Sequence, residues 1–538
     1  MVFPEPVRTT DDVVAPSLAD PLAHAASAAV SGPLGRHART GRSWWTPLRV
    51  TLAIATVVFG LGVLQKSPCV VDSWAESASP TPFSHLCYTD IPFLYVSRGL
   101  AEGIFPYTPT DDLPDQKQPA TSKEAEELTV EYPVLTGIWM GAAGWLTRQI
   151  GEGPDVSRIP HSEVGQVLGV QHDSAVFWCV NAVGFFIVLL LALLALVKAQ
   201  RRRPWDAMFI AASPMIALAT FINWDMLAVG CVAGALWGWS TRRPVWAGIF
   251  IGLGAATKLF PLFFLGPLLV LCLRRRQMDS WMKAASAALT VWLIVDLPVY
   301  LWSSTEFLWF WHFNAQRGSD FGSVWLLFSM AGHSASVHQI NVVTLLVFGG
   351  ACLLIGLLGL LAPRKPRLVQ LTFLVVASFL LVNKVYSPQY VLWLLPLAAL
   401  ARPRWRDLVI WQACEIFYFF AVWMHIANFF VAPGTCQISS SFISASGCDW
   451  VYSLAILVRV AGELFLMVLV VRDILQPWHD PVRADGLSDD PLGGVLDEGI
   501  DAEPFDEDLV DAARGGGVGS PYDSNPLDLV SSGRPSPG

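Results

Sequence analysis

Long apolar segments alternate with shorter polar ones from residue 48 to residue 471. A hydrocarbon core about 30 Å thick needs roughly 20 apolar residues per helix, and fewer where helices are short or broken. The pattern therefore predicts an all-α, polytopic membrane protein with about 12 transmembrane helices. The predicted spans are 48–65, 173–198, 205–221, 225–240, 245–257, 259–273, 281–301, 341–361, 368–382, 388–401, 407–431 and 450–471.

One further apolar segment, 133–148, is ambiguous, and the basic residues decide how it is interpreted. If it spans the membrane, the cluster 201–203 lies on the outer side, and every later basic cluster also changes to the opposite side of the membrane. If it only dips into the outer leaflet or lies along it, every cluster faces the cytoplasm. We take the second arrangement, which places both termini in the cytoplasm. The basic clusters are 36–49, 201–203, 242–243, 274–276, 364–367 and 402–406.

The composition agrees with a membrane protein and divides the chain into three parts. Only 15% of the residues are charged and 53% are hydrophobic, against roughly a quarter charged in a soluble domain, which excludes a soluble globular enzyme. The net charge is −9, but residues 473–538 hold 15 acidic residues and 3 arginines, a balance of −12, so the rest sums to +3. We expect a disordered cytoplasmic arm at 1–45, a membrane domain at 46–472 and a disordered, acidic cytoplasmic tail at 473–538.

The face opposite the basic clusters receives the first extracytoplasmic loop, 66–172, which is predicted to carry short amphipathic helices. Four of the nine cysteines, Cys69, Cys87, Cys436 and Cys448, lie in loops on this outer side. In an oxidising compartment they can form the pairs Cys69–Cys87 and Cys436–Cys448; the alternative is four free thiols. The predicted location is the plasma membrane, which the chain crosses many times.

Ionisable residues outside the basic clusters gather on the same outer face. Placing such groups near the apolar part of a bilayer costs free energy, so they are candidates for function. Asp90 comes directly before a short amphipathic segment. It is either an N-cap whose oxygen accepts helix N–H groups or a general base that faces a lipid-borne substrate, and the sequence leaves both open.

Three further positions share this ambiguity between structure and function. Glu131 precedes Tyr132 and Pro133 at the start of the ambiguous segment, where it suits the positive end of a helix or a binding site. Asp225 lies at the junction of two spans and needs a partner in its apolar surroundings. Lys258 lies in a tight outer turn against the positive-inside pattern, which favours a phosphate or carboxylate partner over simple snorkelling.

A last polar turn, residues 383–390, contains Lys384, Tyr386 and Gln389. Lys384 is suited to neutralise an anionic lipid phosphate, and the other two side chains can hydrogen-bond hydroxyl groups. Anchoring at the membrane interface is the alternative for the tyrosine. Several polar clusters on one face indicate a site more strongly than any one of them alone.

The motifs occur in a characteristic order along the chain. They are Asp90, Arg98-Gly99-Leu100, Gly103-Ile104-Phe105-Pro106-Tyr107, Glu131-Tyr132-Pro133-Val134-Leu135, Asn223-Trp224-Asp225, Lys258-Leu259-Phe260-Pro261 and Lys384-Val385-Tyr386-Ser387-Pro388-Gln389-Tyr390. This order resembles the GT-C superfamily of polytopic membrane glycosyltransferases. It looks like glycosyltransferase family 87, the actinobacterial group that includes polyprenyl-phosphomannose-dependent α-mannosyltransferases, and the resemblance covers about residues 48–471.

The resemblance implies a reaction and a role for each candidate residue. Asp90 would be the catalytic base in the transfer of a hexose, with mannose expected, from a polyprenyl-phosphate donor. The acceptor would be a hydroxyl group of a glycolipid or cell-envelope glycan on the extracytoplasmic face. Many relatives carry a second acid two residues from the first, whereas this chain has Asp90-Ile91-Pro92, so no metal or other cofactor is predicted. Donor-phosphate binding would fall to Lys258, Lys384 and Arg98, and sugar or acceptor binding to Glu131, Tyr132, Asp225, Tyr386 and Gln389.

Two other functions compete with this one. A transporter or flippase of polyprenyl-linked sugars would carry its charges near the bilayer midplane on interrupted helices, whereas the clusters here lie at one face. A non-catalytic scaffold that recruits partners through its acidic tail would leave Lys258 and Lys384 unexplained. The predicted partners are the lipid-linked donor, the acceptor and the lipid bilayer, with no nucleic acid among them.

Overall fold

The computed structural model describes residues 45–70, 81–119, 122–156, 158–200, 203–427, 429, 450–484 and 489–497. These residues form α-helices joined by loops and short 3₁₀ turns, and no strand occurs among them. The all-α prediction is therefore confirmed. The helices are α1 Pro47–Val70, α2 Thr81–Ser84, α3 Ile91–Ser97, α4 Ser122–Leu128, α5 Val134–Ile150, α6 His161–Val164, α7 Leu168–Ala199, α8 Met208–Ala211, α9 Pro214–Ala219, α10 Asp225–Ser240, α11 Pro244–Thr257, α12 Leu265–Arg275, α13 Met278–Trp302, α14 Ser304–Gln316, α15 Val324–Met330, α16 Val337–Leu361, α17 Leu368–Val382, α18 Val391–Ala401, α19 Trp405–Ile426 and α20 Trp450–Leu475.

Six of the described helices, α1, α7, α13, α16, α19 and α20, are long and apolar enough to cross a membrane. Each of the twelve apolar segments of the sequence contains helical structure, which agrees with a polytopic membrane protein. The number of crossings and their direction stay predictions. The segment 205–221 is the most broken of the twelve, because α9 starts anew at Pro214 with Ser213 capping the N–H of Met215.

The shorter apolar helices occupy the centre of the bundle. Every residue of α18 is buried, and so are most residues of α17 and α10. A helix that is apolar on all sides is covered either by other helices or by lipid, and other helices cover these three. The long helix α16 shows the opposite pattern, with Ile340 and Gly359 as its buried residues, so it lies at the periphery with its side chains turned outward.

The start of the acidic tail was predicted too early, at residue 473. Helix α20 continues to Leu475, and the chain that follows it packs onto basic side chains. Asp480 forms an ion pair with buried Arg367 at 2.8 Å, and Asp489 forms one with Arg483 at 2.9 Å. Buried guanidinium groups need a counter-charge, and the residues after 472 supply it. Residues 1–44 and 498–538 lie outside the described residues, so the predictions for the arm and for the rest of the tail stay predictions.

This packing also changes the meaning of two basic clusters. Arg367 and Arg402 are almost fully buried, and Arg402 pairs with Asp407 at 2.7 Å as well as with Asp473. The sequence interpretation gave these clusters only a role in orientation. The structure shows that Arg402 also pairs with the last turn of α20 and that Arg367 holds the chain after this helix against the bundle.

Truncation of the chain provides a direct check of this boundary. Ending the protein after residue 497 is expected to leave its thermal midpoint unchanged, whereas ending it after residue 472 should lower the midpoint strongly. The reason is that the shorter chain leaves Arg367 buried without Asp480, and breaking such a pair costs about 3–5 kcal/mol. Thermal unfolding of the purified variants in one detergent measures this. The variant Asp480→Asn is the matched point change, and equal midpoints for both truncations would contradict the boundary drawn here.

Candidate functional site

A cavity of about 530 Å³ lies where several helices begin or end. Five residues singled out in the sequence line it: Asp90, Glu131, Tyr132, Lys258 and Gln389. They come from four separate parts of the chain. The structure thus brings together residues that the sequence could only place on one face.

Asp90 stands at the N-cap position of α3, but its side chain makes no capping hydrogen bond. Its Oδ1 instead accepts a hydrogen bond from the Tyr88 hydroxyl at 2.5 Å. Its Oδ2 has no hydrogen-bond partner among the described residues, and the residue lines the cavity. The capping alternative therefore does not account for this carboxylate, which is held by one oxygen and available through the other.

The backbone around Asp90 is tied down on two sides. Its N–H donates to the carbonyl of Ile222 at 2.8 Å. On the other side, Lys66 of α1 is fully buried and donates to the carbonyl of Tyr88 at 2.9 Å. The Cys69–Cys87 pair is a disulfide in the structure and links the end of α1 to the same segment. Preorganised positioning of this kind is what a catalytic group requires.

Burial raises the pKa of Asp90 to about 6. The hydrogen bond from Tyr88 lowers it, whereas the nearby carboxylate of Glu131 raises it further. A general base is most effective when its pKa lies near the working pH. Asp90 therefore remains ionised at neutral pH and is a better proton acceptor than an ordinary aspartate.

Glu131 and Arg98 form an ion pair with a distance of 2.9 Å between Nη2 and Oε2. Glu131 lines the cavity, whereas Arg98 is buried behind it and also donates to the carbonyl of Glu127. The sequence suggested that Arg98 binds the donor phosphate. Its guanidinium is instead engaged by these two groups and does not line the cavity, so the structure gives it the role of fixing Glu131.

Lys258 and Asp225 form the central ion pair of the site, with Nζ and Oδ1 2.9 Å apart. Lys258 follows the last residue of α11 and lines the cavity, whereas Asp225 is fully buried behind it. Burial lowers the pKa of Lys258, but Asp225, Tyr390 and Asp90 together more than offset this and leave that pKa above its usual value. Asp225 thus keeps Lys258 charged and does not itself reach the cavity, contrary to the suggested contact with sugar hydroxyls.

Aromatic rings surround the ammonium group of Lys258. Its Nζ lies 5.1 Å from the ring centre of Tyr132, 5.8 Å from that of Tyr390 and 5.9 Å from that of Trp393. Cations are attracted to the faces of such rings. The ammonium group is thereby held in place in a cavity whose remaining walls are largely apolar and aromatic.

The turn 383–390 divides its side chains between the cavity and the surrounding bundle. Gln389 lines the cavity. Tyr386 is completely buried and donates a hydrogen bond to Glu415 at 2.9 Å, while Lys384 donates to Asn341 at 2.7 Å. Neither of these two residues lines the cavity. The suggested roles of Lys384 in phosphate binding and of Tyr386 in sugar binding are therefore not supported by their positions.

Two residues of the site were missed in the sequence. Tyr88 was part of the segment around Asp90 but was given no role, although it is the hydrogen-bond partner of that carboxylate. Arg317 lines the cavity on the side of α14. The signal for Arg317 was present, since it is a basic residue in a predicted outer loop and runs against the positive-inside pattern just as Lys258 does.

Cys436 and Cys448 lie outside the described residues, so their pairing stays a prediction. Within the described part of the chain, no three His, Cys, Asp or Glu side chains come together as ligands for a metal ion, and the absence of a metal cofactor likewise stays a prediction.

The fold and the site define a multi-pass, all-α membrane protein with a charged cavity at its helix ends. The model of glycosyltransferase family 87 matches residues 166–383. This match supports membership of that family, which has a GT-C-type fold, and together with the long apolar helices it supports a membrane glycosyltransferase. A comparison with curated proteins found no significant match. The matched region contains Asp225, Lys258 and Arg317, whereas Asp90 and Glu131 precede it.

Proposed function

We propose that the protein transfers a hexose, with mannose as the expected sugar, from a polyprenyl-phosphate donor to a hydroxyl group of a glycolipid or cell-envelope glycan. The reaction is proposed to take place on the extracytoplasmic face of the plasma membrane. The observation that carries the proposal is the juxtaposition, in one cavity, of the accessible carboxylate of Asp90 and the ammonium group of Lys258.

The chemistry of such a transfer needs a base and a cation at separate points. Asp90 takes the proton of the acceptor hydroxyl while the hydroxyl oxygen forms a bond to the anomeric carbon of the donor sugar. The bond from that carbon to the phosphate oxygen breaks, and the electron pair leaves with the lipid phosphate. Lys258 stabilises the charge that develops on this leaving group. No other reactant is required.

The uncharged walls of the cavity suit the two substrates. Phe263, Phe310, Trp311 and Phe379 line it on the side of α14 and α17, and an isoprenoid chain can pack against such side chains. Glu131, Tyr132 and Gln389 supply hydrogen-bonding groups at the polar end, where they can orient sugar hydroxyls. A donor that arrives through the lipid phase also explains why the site is built from membrane helices.

The proposal is tested with purified protein, a radiolabelled polyprenyl-phosphate sugar and a panel of glycolipid and glycan acceptors. We expect a labelled product with a new glycosidic bond and an equal amount of released polyprenyl phosphate. Donors carrying different hexoses in parallel assays identify the sugar. Movement of labelled donor across sealed vesicles without any new glycosidic bond would contradict the proposal and favour a flippase.

A further inference from the structure

The loop 317–323 connects α14 to α15 and reaches the cavity through Arg317 and Phe321. Two backbone hydrogen bonds join this loop to the turn 383–390: Asp320 N–H donates to the carbonyl of Lys384 at 2.8 Å, and Tyr386 N–H donates to the carbonyl of Phe321 at 2.6 Å. The loop therefore has a fixed position against the first half of this turn.

Helix α20 fixes the same loop from behind. Tyr452 accepts a hydrogen bond from Gly322 N–H at 2.9 Å, and Arg459 donates one to the carbonyl of Gly322 at 3.1 Å. Gly322 has a φ of +62°, and a Cβ atom there would collide with the hydroxyl of Tyr418. A glycine is needed at this position because it permits both this backbone conformation and the close approach. These contacts hold the loop in one defined conformation.

Arg317 uses only one edge of its guanidinium group within the protein. Its Nε donates to Oδ2 of Asp320 at 2.7 Å, and its Nη2 donates to the same oxygen. Its Nη1 has no hydrogen-bond partner among the described residues. Asp320 is itself held, since its Oδ1 accepts from Phe321 N–H at 2.8 Å. An arginine has five N–H donors, so several of them remain for a ligand in the cavity.

The charge pattern of the cavity indicates what that ligand is. Among the described residues that line it, the positively charged ones are Lys258 and Arg317. Tyr390 lines the same cavity, with its ring centre 5.8 Å from the Lys258 ammonium group. A fork of N–H donors that shares one cavity with a second cation suits the charge and the oxygen acceptors of a phosphate group.

We infer that Arg317, together with Lys258, holds the phosphate of the lipid-linked donor, with Asp320 as the residue that positions the guanidinium. This inference rests on the proposed function and assigns the second phosphate-binding cation to Arg317 in place of Arg98 and Lys384. The phosphate gains negative charge when its bond to the sugar breaks. Arg317 therefore binds the released polyprenyl phosphate more strongly than the intact donor.

Binding of polyprenyl phosphate to the purified full-length protein tests the inference without requiring catalysis. The fluorescence of cavity tryptophans such as Trp393 reports occupancy, and uncharged polyprenol of the same chain length is the control ligand. We expect Arg317→Gln to weaken phosphate binding about ten- to a hundred-fold and to leave polyprenol binding unchanged. Arg317→Lys should recover part of the loss because it restores the charge but not the fork.

The variant Asp320→Asn separates phosphate binding from a purely structural ion pair. If Arg317 acts on the phosphate, Asp320→Asn should weaken phosphate binding clearly less than Arg317→Gln, because the guanidinium is still present although it is held less firmly. Equal loss of phosphate binding in Asp320→Asn and Arg317→Gln would overturn the inference, and so would unchanged phosphate binding in Arg317→Gln.

The behaviour of the wild-type protein separates failure of the Arg317 assignment from failure of the proposed function. A wild-type protein that transfers sugar and binds polyprenyl phosphate, beside an Arg317→Gln variant that binds it equally well, refutes the role of Arg317 alone. A wild-type protein that neither transfers sugar nor binds polyprenyl phosphate refutes the proposed function itself.

Discussion

Replacing Asp90 by asparagine is expected to lower the rate of sugar transfer by roughly 10²–10⁴-fold, the range that a general base contributes. The amide has nearly the same shape and can still accept a hydrogen bond from Tyr88, but it cannot take a proton. Substrate binding should change little, so the loss is expected in kcat. Initial rates of product formation with saturating donor and acceptor measure the effect.

The pH dependence of transfer tests the same carboxylate independently. Because the pKa of Asp90 is about 6, the carboxylate becomes protonated as the pH falls through that value. The wild-type rate should therefore be full above pH 7 and should decline below about pH 6. Activity that remains in Asp90→Asn should lack this decline.

Tyr88→Phe is the matched control for the assignment of the pH profile. Its hydrogen bond lowers the pKa of Asp90, so removal of the hydroxyl should move the decline in rate to higher pH. A wild-type rate in a folded Asp90→Asn variant would exclude Asp90 as the base. A decline that does not move in Tyr88→Phe would show that another group titrates.

Replacing Lys258 by methionine is expected to lower kcat by about 10²–10³-fold, which is the typical effect of removing one electrostatic stabiliser of a developing negative charge. Methionine keeps most of the length of the side chain and its packing against Tyr132 and Trp393. The single variant also leaves Asp225 buried without its partner, so its thermal midpoint should fall as well. Transfer rates and thermal unfolding are measured on the same preparations.

The double variant Lys258→Met with Asp225→Asn separates these two effects. It removes the unpaired buried carboxylate, so stability should recover toward that of the wild type. Transfer should stay low, because the cation that faces the leaving group is still absent. Recovery of transfer together with stability would show that Lys258 is only the counter-ion of Asp225.

The predictions from the sequence were accurate where local pattern decides the structure. Apolar runs bounded by Pro, Gly and Arg identified the helices, because the length and the apolar content of a segment are visible in the sequence itself. The position of Asp90 before α3 was also recognisable from adjacent residues. The sequence could not show that the Asp90 side chain makes no capping hydrogen bond. In the structure its Oδ1 accepts a hydrogen bond from Tyr88 instead.

The roles of the basic residues could not be predicted from the chain alone. Arg98 and Arg317 both occur in predicted outer loops, and nothing local distinguishes them. Arg98 forms an ion pair with Glu131, 33 positions away. Arg317 lines the cavity because residues of the distant helix α20 hold its loop in place. Which cation faces a substrate depends on how remote segments meet. The same holds for Asp480, which pairs with Arg367 across 113 positions.

The disulfide between Cys69 and Cys87 has a practical consequence for handling the protein. The bridge lies three residues before Asp90 and helps to hold the segment that presents it. Reduction of this bridge would remove the covalent link between the end of α1 and the segment that presents the carboxylate. Preparations made with and without reductant are therefore not equivalent samples, and specific activities should be compared only between preparations whose thiol content has been measured.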